Sequence, residues 1–258
     1  MSADAAAAVR EEDAFDVAAV TEWLRESAID ASGIADEPIV KQFTGGASNL
    51  TYQLSYPSGR NLILRRPPSG TKAKGAHDMG REFRIQQALA PVFPLVPRMV
   101  GHCLDDAVIG SEFYVMDRID GVILRKDIPV GIGLDESATV DRLCDNAIQA
   151  LVDLHGVDPH ASGLAELDRG PGYVERQVGG WIERYRRART HDVGDFAEVM
   201  AWLEAHQPAE QPHAMIHNDY RFDNLVLDRE DPTRIAGVLD WELATVGDPL
   251  MDVGSLMA

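Results

Sequence analysis

The sequence predicts an α+β protein, with most of its strands in the first half and most of its helices in the second. Three observations predict this. Residues 39–54, 61–66 and 112–119 are short apolar runs bounded by Gly, Pro and Asn turn signals. Residues 137–155, 173–188 and 195–205 instead repeat apolar side chains at helical spacing. Two more helical segments, 14–29 and 79–89, sit in the strand-rich half. At 258 residues, 45% hydrophobic and 26% charged, the chain has the composition of an ordinary globular protein of one large or two modest domains.

The elements follow in order. Residues 14–29 place Phe15, Val17, Val20, Trp23, Leu24 and Ile29 at roughly helical spacing. Residues 39–54 read as strand, glycine turn, strand, with Gly45, Gly46, Ala47, Ser48 and Asn49 at the tip. Glycines let the backbone approach a ligand closely, and the N–H groups of such a turn can face phosphates. An ordinary hairpin turn is the simpler reading of the glycines alone. The segment Asn61-Leu62-Ile63-Leu64-Arg65-Arg66 forms the next strand, on which the two arginines point to opposite faces. After a basic loop at 67–75, the helix at 79–89 carries Glu82.

Residues 91–101 make a proline-punctuated connection into a strand, and the strand at 112–119 is broken by Asp120-Gly121. The helix at 137–155 carries Val140, Leu143, Ala147, Leu151 and Leu154 on one face, with Ser137 as its expected cap.

Several function classes are excluded or disfavoured. A net charge of −18 argues against nucleic-acid binding, which needs a basic footprint, while it would favour a cationic ligand or simply maintain solubility. No run of 18 apolar residues is present, so no membrane-spanning helix is expected. The acidic first residues lack the basic region and apolar core of a signal peptide, and a cytoplasmic protein is expected. Two cysteines, Cys103 and Cys144, make no disulfide framework and are expected to be small buried apolar residues. The motif G-x-x-x-x-G-K-[ST] of P-loop nucleotide-binding proteins is absent.

The chemistry concentrates in residues 213–254. His217-Asn218-Asp219 followed by Asn224 reads H-x-D-x-x-x-x-N, and two short strands at 225–227 and 235–239 flank a polar turn at 228–233. The second strand ends in Asp240-Trp241-Glu242. A hairpin would bring Asp219, Asn224 and Asp240 together at one end. Phosphoryl transfer to a hydroxyl needs this set: one carboxylate to accept the proton, and a second carboxylate with an amide oxygen to hold Mg²⁺ against the phosphates.

These residues, with Gly247-Asp248-Pro249 and Asp252 after them, resemble the aminoglycoside phosphotransferase family of small-molecule kinases. The ending Leu239-Asp240-Trp241-Glu242-Leu243-Ala244 and the run Leu64-Arg65-Arg66-Pro67-Pro68 are similar to the branch associated with acyl-CoA dehydrogenases. The resemblance implies a two-lobed protein-kinase-like fold. Its N-lobe, an antiparallel sheet plus helix, would span residues 1–119 and bind the nucleotide; its mainly helical C-lobe would span 120–258 and lack the last helices usual in the family.

The resemblance also implies roles. Asp219 would be the catalytic base, and Asn224 with Asp240 would hold Mg²⁺. Arg65, paired with Glu82, would hold the ATP phosphates beneath the turn 45–49. Met116 would lie near the adenine or simply pack in the core, and the backbone of Asp117 to Ile119 would meet the adenine edge. His217 and His155 would serve structure, as would Asp252, bracing the loop. Asp223 would lie behind the metal or on the surface, and Glu242 would accept a metal-bound water or serve structure. Trp181, Tyr185, Arg186 and Arg187 would contact the acceptor, with packing for Trp181 and solvated charge for Arg186 and Arg187 as the alternative, and Tyr220 and Arg221 would approach it from the loop. The implied activity is MgATP-dependent phosphorylation of a small-molecule hydroxyl, a hydroxyacyl-CoA or an aminoglycoside. A nucleotide-binding module without turnover is the rival reading.

Overall fold

A computed structural model describes residues 6–43, 49–68 and 78–257. The turn residues Gly45, Gly46, Ala47 and Ser48 therefore lie outside the described residues. The N-terminal lobe is a five-stranded antiparallel sheet in the order β1-β2-β3-β5-β4. Its strands are β1 (Ile39–Gln42), β2 (Leu50–Ser55), β3 (Asn61–Arg66), β4 (Met99–Cys103) and β5 (Phe113–Asp117). β5 is thus shorter than its apolar pattern, and residues 118–119 already belong to the crossing between the lobes.

Helix α1 (Val17–Ser27) begins where the Asp16 carboxylate accepts from the Ala19 N–H. It buries Val20 and Leu24 against one face of the sheet with Tyr52, Leu54, Leu62, Leu64 and Val115. Alternation along β3 sends Ile63 to the other face, into a cluster with Met79, Phe83, Met99, Tyr114 and Met116. Helix α2 (Met79–Leu89) covers that face and is capped by Asp78. Its lower residues Ile85 and Leu89 join the core of the second lobe, so one helix is packed into both lobes.

The C-terminal lobe is built on α3 (Ser137–His155), whose bounds match its periodic pattern. Glu136 occupies the N-cap position and no side chain caps the helix, so Ser137 is the first helical residue rather than the cap. Helices α4 (Tyr173–Ala188) and α5 (Ala197–Ala205) follow. The strands β6 (Val122–Ile123), β8 (Leu225–Leu227) and β9 (Ile235–Val238) form a small antiparallel sheet, and β7 (Ala214–Ile216) pairs with β10 (Thr245–Gly247). Helix α6 (Leu250–Met257) ends the described chain. A Cβ on Gly121 would overlap the Leu227 carbonyl oxygen, so this glycine lets the crossing chain lie directly on β8. Cys103 is buried as expected, but Cys144 is exposed, because it falls on the solvent side of α3.

Candidate active site

Asp219 and Asn224 are joined directly. The Asn224 amide nitrogen donates to Asp219 Oδ2 at 2.8 Å and to the Asp219 carbonyl at 2.9 Å. A 3-10 turn, Phe222–Asn224, carries Asn224 to the start of β8. From β9, the Leu239 N–H donates to the Asn224 carbonyl at 2.8 Å. That bond brings the next residue, Asp240, to the same end of the hairpin. Asp240 stands in the left-handed region at φ 67, unusual for a residue with a Cβ. The 3-10 turn Trp241–Leu243 follows at once, with buried Trp241 donating through Nε1 to the Val238 carbonyl at 2.9 Å.

His217 fastens the two segments together. Burial lowers its pKa, so the ring is neutral at pH 7. The tautomer that satisfies both nitrogens has Nε2–H donating to the Leu239 carbonyl, 2.9 Å away, and Nδ1 accepting from the Asp219 N–H at 3.3 Å. Asp252, fully buried, accepts from the N–H groups of His217 at 2.8 Å and Asn218 at 2.6 Å, and pairs with His155 at 3.0 Å. Asp248 accepts from Leu250 N–H at 2.9 Å at the start of α6 and from Gln211 N–H at 3.1 Å.

Across the cleft, Arg65 Nη1 meets Glu82 Oε1 at 2.5 Å and Nη2 meets Asp240 Oδ1 at 3.2 Å. Burial works against the Arg65 charge, and Tyr114, Glu82 and Asp240 more than offset it, so the pKa is raised and the group is a permanent cation. Burial pushes the Glu82 carboxyl up, against the pull of Arg65. Arg66 points the other way, to the Tyr52 hydroxyl at 3.0 Å and the Asp13 carbonyl at 2.7 Å. Asn49 donates to Glu242 Oε2 at 3.3 Å, linking the start of β2 to the turn after Asp240.

Asn49, Arg65, Asn224 and Asp240 line a cleft of about 240 Å³ between the lobes, while Asp219 and Glu82 stand outside that lining, bonded to Asn224 and Arg65. Phe43, Ile63 and Met116 form its upper apolar wall, Val226 and Leu239 its lower one, and Asn49, Arg65, Asn224 and Asp240 its polar end. Asp117 and Ile119 line the connection at the back. The Asp117 carboxylate is turned to Arg60 and Arg98, each at 2.9 Å. The N–H groups of Asp117 and Arg118 go to the carbonyls of Arg98 at 2.8 Å and Asn61 at 3.0 Å.

Some expected contacts are not in this cleft. Tyr220 is buried, its hydroxyl donating to the Ala147 carbonyl at 2.7 Å, so it holds the loop to α3 and cannot approach an acceptor. The Tyr185 hydroxyl binds the Gly194 carbonyl at 2.5 Å between α4 and α5. Trp181, Arg186 and Arg187 are exposed, away from the cleft lining. Arg221 is also exposed and pairs with Asp223 at 2.6 Å.

Sequence reasoning missed Tyr173, whose ring lies where a Cβ on Gly247 would be and whose hydroxyl meets Asn218 Oδ1 at 3.3 Å. It also missed Arg125, which donates to the Asp223 carbonyl at 3.0 Å on the cleft rim. Neither sits in a motif, so only the tertiary fold singles them out.

The family model described as the phosphotransferase enzyme family matches residues 39–258, from β1 to the end of the chain. The chain belongs to that family. It has a kinase-like fold.

Among similar proteins is acyl-CoA dehydrogenase family member 10 of Mus musculus, 37% identical over 82% of this chain and 19% of that protein. Acyl-CoA dehydrogenase family member 11 of Gallus gallus is 37% identical over 83% of this chain and 27% of that protein. The phosphotransferase chain thus spans about a quarter of the length of these curated relatives, or less.

A solved structure from Ralstonia eutropha JMP134, provisionally described as an aminoglycoside phosphotransferase, superposes with TM-score 0.77. It shares 32% identity over 93% of this chain and 69% of that one. The GDP complex of aminoglycoside 2′-phosphotransferase-IIIa, at 15% identity and TM-score 0.64 over 92% of this chain and 76% of that one, shares the fold.

Proposed function

We propose that this phosphotransferase moves the γ-phosphoryl group of ATP to a hydroxyl of a small metabolite. The observation that carries the reading is the Asn224–Asp219 contact at 2.8 Å, beside a cleft that Asn224, Asp240 and Arg65 line together.

The donor set fits a magnesium ion. The Asn224 amide nitrogen is spent on Asp219, which leaves its oxygen for a cation, and the Asp240 carboxylate reaches the same cleft. When bound, Mg²⁺ would neutralise phosphate charge. Asp219 accepts the proton of the attacking hydroxyl as the new O–P bond forms and the bond to the β-phosphate oxygen breaks, releasing ADP. Arg65, held by Glu82, offers the phosphates a cation that never deprotonates. Catalysis then rests on positioning and on charge placed in advance. Ile63 and Met116 would face the adenine, and Ile119 its edge.

For the acceptor, the names of the curated relatives favour a hydroxyacyl-CoA. The net charge of −18 favours a cationic aminoglycoside as the second reading. The test is an ADP-release assay over a panel of both acceptor classes, with Asp219→Ala beside the wild type. The expected result is turnover with one class, lost in Asp219→Ala while ATP binding stays nearly intact. Full activity in Asp219→Ala would refute the assignment. Mg²⁺-dependent ATP binding with no turnover on any acceptor would favour a nucleotide-binding module.

A further inference from the structure

Glu82 has a neighbour on α2 that the phosphate-holding pair does not use. Arg81 is half-buried and reaches across the lobes, donating through Nη1 to the Glu242 carbonyl at 3.0 Å and through Nη2 to the Ala244 carbonyl. Its own N–H is taken by the Asp78 cap at 2.8 Å, which fixes the first turn of α2 where the side chain departs. The two carbonyls flank the end of the 3-10 turn Trp241–Leu243 that begins at Asp240. Beyond them the chain enters β10, which pairs Thr245 with Ile216, immediately before His217.

We infer that Arg81 is a positioning residue that clamps the turn after Asp240 to α2, so that the Asp240 carboxylate is presented for metal binding only when α2 is seated. The inference rests on the reading of Asp240 as a metal ligand. The geometry forms a closed circuit. Arg65 joins Asp240 to Glu82, one peptide bond joins Glu82 to Arg81, and Arg81 returns to the two carbonyls that follow Asp240. Asp240 itself stands at φ 67, a conformation that persists only where its surroundings hold it. A planar guanidinium can meet both carbonyls at once, which a lysine ammonium on a flexible stem does poorly. The charge also lies near the carbonyl end of a short helical turn, where a cation is favourable.

The experiment compares wild type, Arg81→Lys and Arg81→Ala in the full chain by calorimetric titration of ATP, once with Mg²⁺ and once with EDTA. Amide hydrogen exchange of 240–246 is followed in the ligand-free protein. Losing two charge-assisted hydrogen bonds should cut the Mg²⁺-dependent gain in ATP affinity about tenfold in Arg81→Ala, with binding in EDTA within about twofold of wild type. Arg81→Lys should fall between them, and exchange at 240–246 should quicken in the order wild type, Lys, Ala. Equal losses with and without Mg²⁺, or exchange unchanged in Arg81→Ala, would overturn the inference. If wild type binds no ATP, the kinase reading fails by itself, while the exchange arm still decides whether Arg81 clamps the turn.

Discussion

The imidazole of His217 and the carbonyl of Leu239 lie 2.9 Å apart, so a single side chain ties the loop that carries Asp219 to the strand that delivers Asp240. The two residues lie 22 positions apart in sequence, and His217 is fully buried. The bond matters because the proposed base and metal ligand come from two separate segments whose spacing nothing covalent fixes. Burial keeps the ring neutral, which leaves one nitrogen to donate to Leu239 and one to accept from Asp219.

Replacing His217 by Phe keeps an aromatic ring against Trp241, now 4.8 Å from the imidazole centroid, but removes the donor to Leu239. The expected loss is about 1–3 kcal/mol in urea unfolding, the cost of leaving such an acceptor unmet. Turnover should fall more than ATP affinity does, since the base and the metal residue lose their common tie. Wild-type stability in His217→Phe would show that the contact contributes nothing.

Arg65 and Glu82 form a pair in which Glu82 is 2% exposed. Removing one partner strands the other charge. Arg65→Met should therefore destabilise the fold by about 3–5 kcal/mol, with most of the loss recovered in the double variant Arg65→Met, Glu82→Leu. Arg65→Lys should fold normally yet bind ATP more weakly, because an ammonium cannot span Glu82 and Asp240 as the guanidinium fork does. Chemical denaturation of wild type, Arg65→Met, Glu82→Leu and the double variant checks the cycle, and additive losses would show that the two residues are not coupled.

Gly121 has no side chain because β8 passes directly beneath it. Gly121→Ala would drive its Cβ into the Leu227 carbonyl and the Val226 side chain. Backbone cannot rotate away as a side chain can, so the expected cost is about 1–3 kcal/mol, measured by urea unfolding. Gly110, where a Cβ would meet nothing but whose φ is 81, is a control for strain without a clash.

Much of this was legible before folding was considered, and the exceptions have physical reasons. Helices α3 and α4 follow their apolar periodicity to the residue, because long amphipathic segments need no partner to be recognised. The H-x-D-x-x-x-x-N spacing places Asp219 and Asn224 within hydrogen-bond reach through the 3-10 turn between them. Arg65 and Arg66 share one strand, and only strand register against β5 decides which faces Glu82. From the sequence Tyr220 reads as a contact residue because it lies inside a functional loop, whereas in the fold its hydroxyl is satisfied by α3. Arg81 and Tyr173 leave no local signal, since their partners lie 161 and 45 residues away.

His213 offers a pH test that is independent of catalysis. Its ring lies between Glu210, at 3.0 Å, and Asp168, at 2.8 Å, just before β7. The hydrogen bond to Glu210 and the contact with Asp168 raise its pKa above the usual value, against partial burial. Glu210, which also accepts from the N–H groups of Gly172 and Tyr173 at the start of α4, is lowered to about 2, and Asp168 is lowered too, so both stay ionised near neutral pH. For a group whose folded pKa is raised, the folded state holds the proton more tightly than the unfolded chain. The stabilisation is therefore complete below about pH 6.5, the unfolded value, and is lost as pH rises through the folded value. The Tm gap between wild type and His213→Gln should be widest at about pH 5.5–6 and close toward about pH 8.5. A gap that stays constant across this range would show that the ring does not titrate with folding.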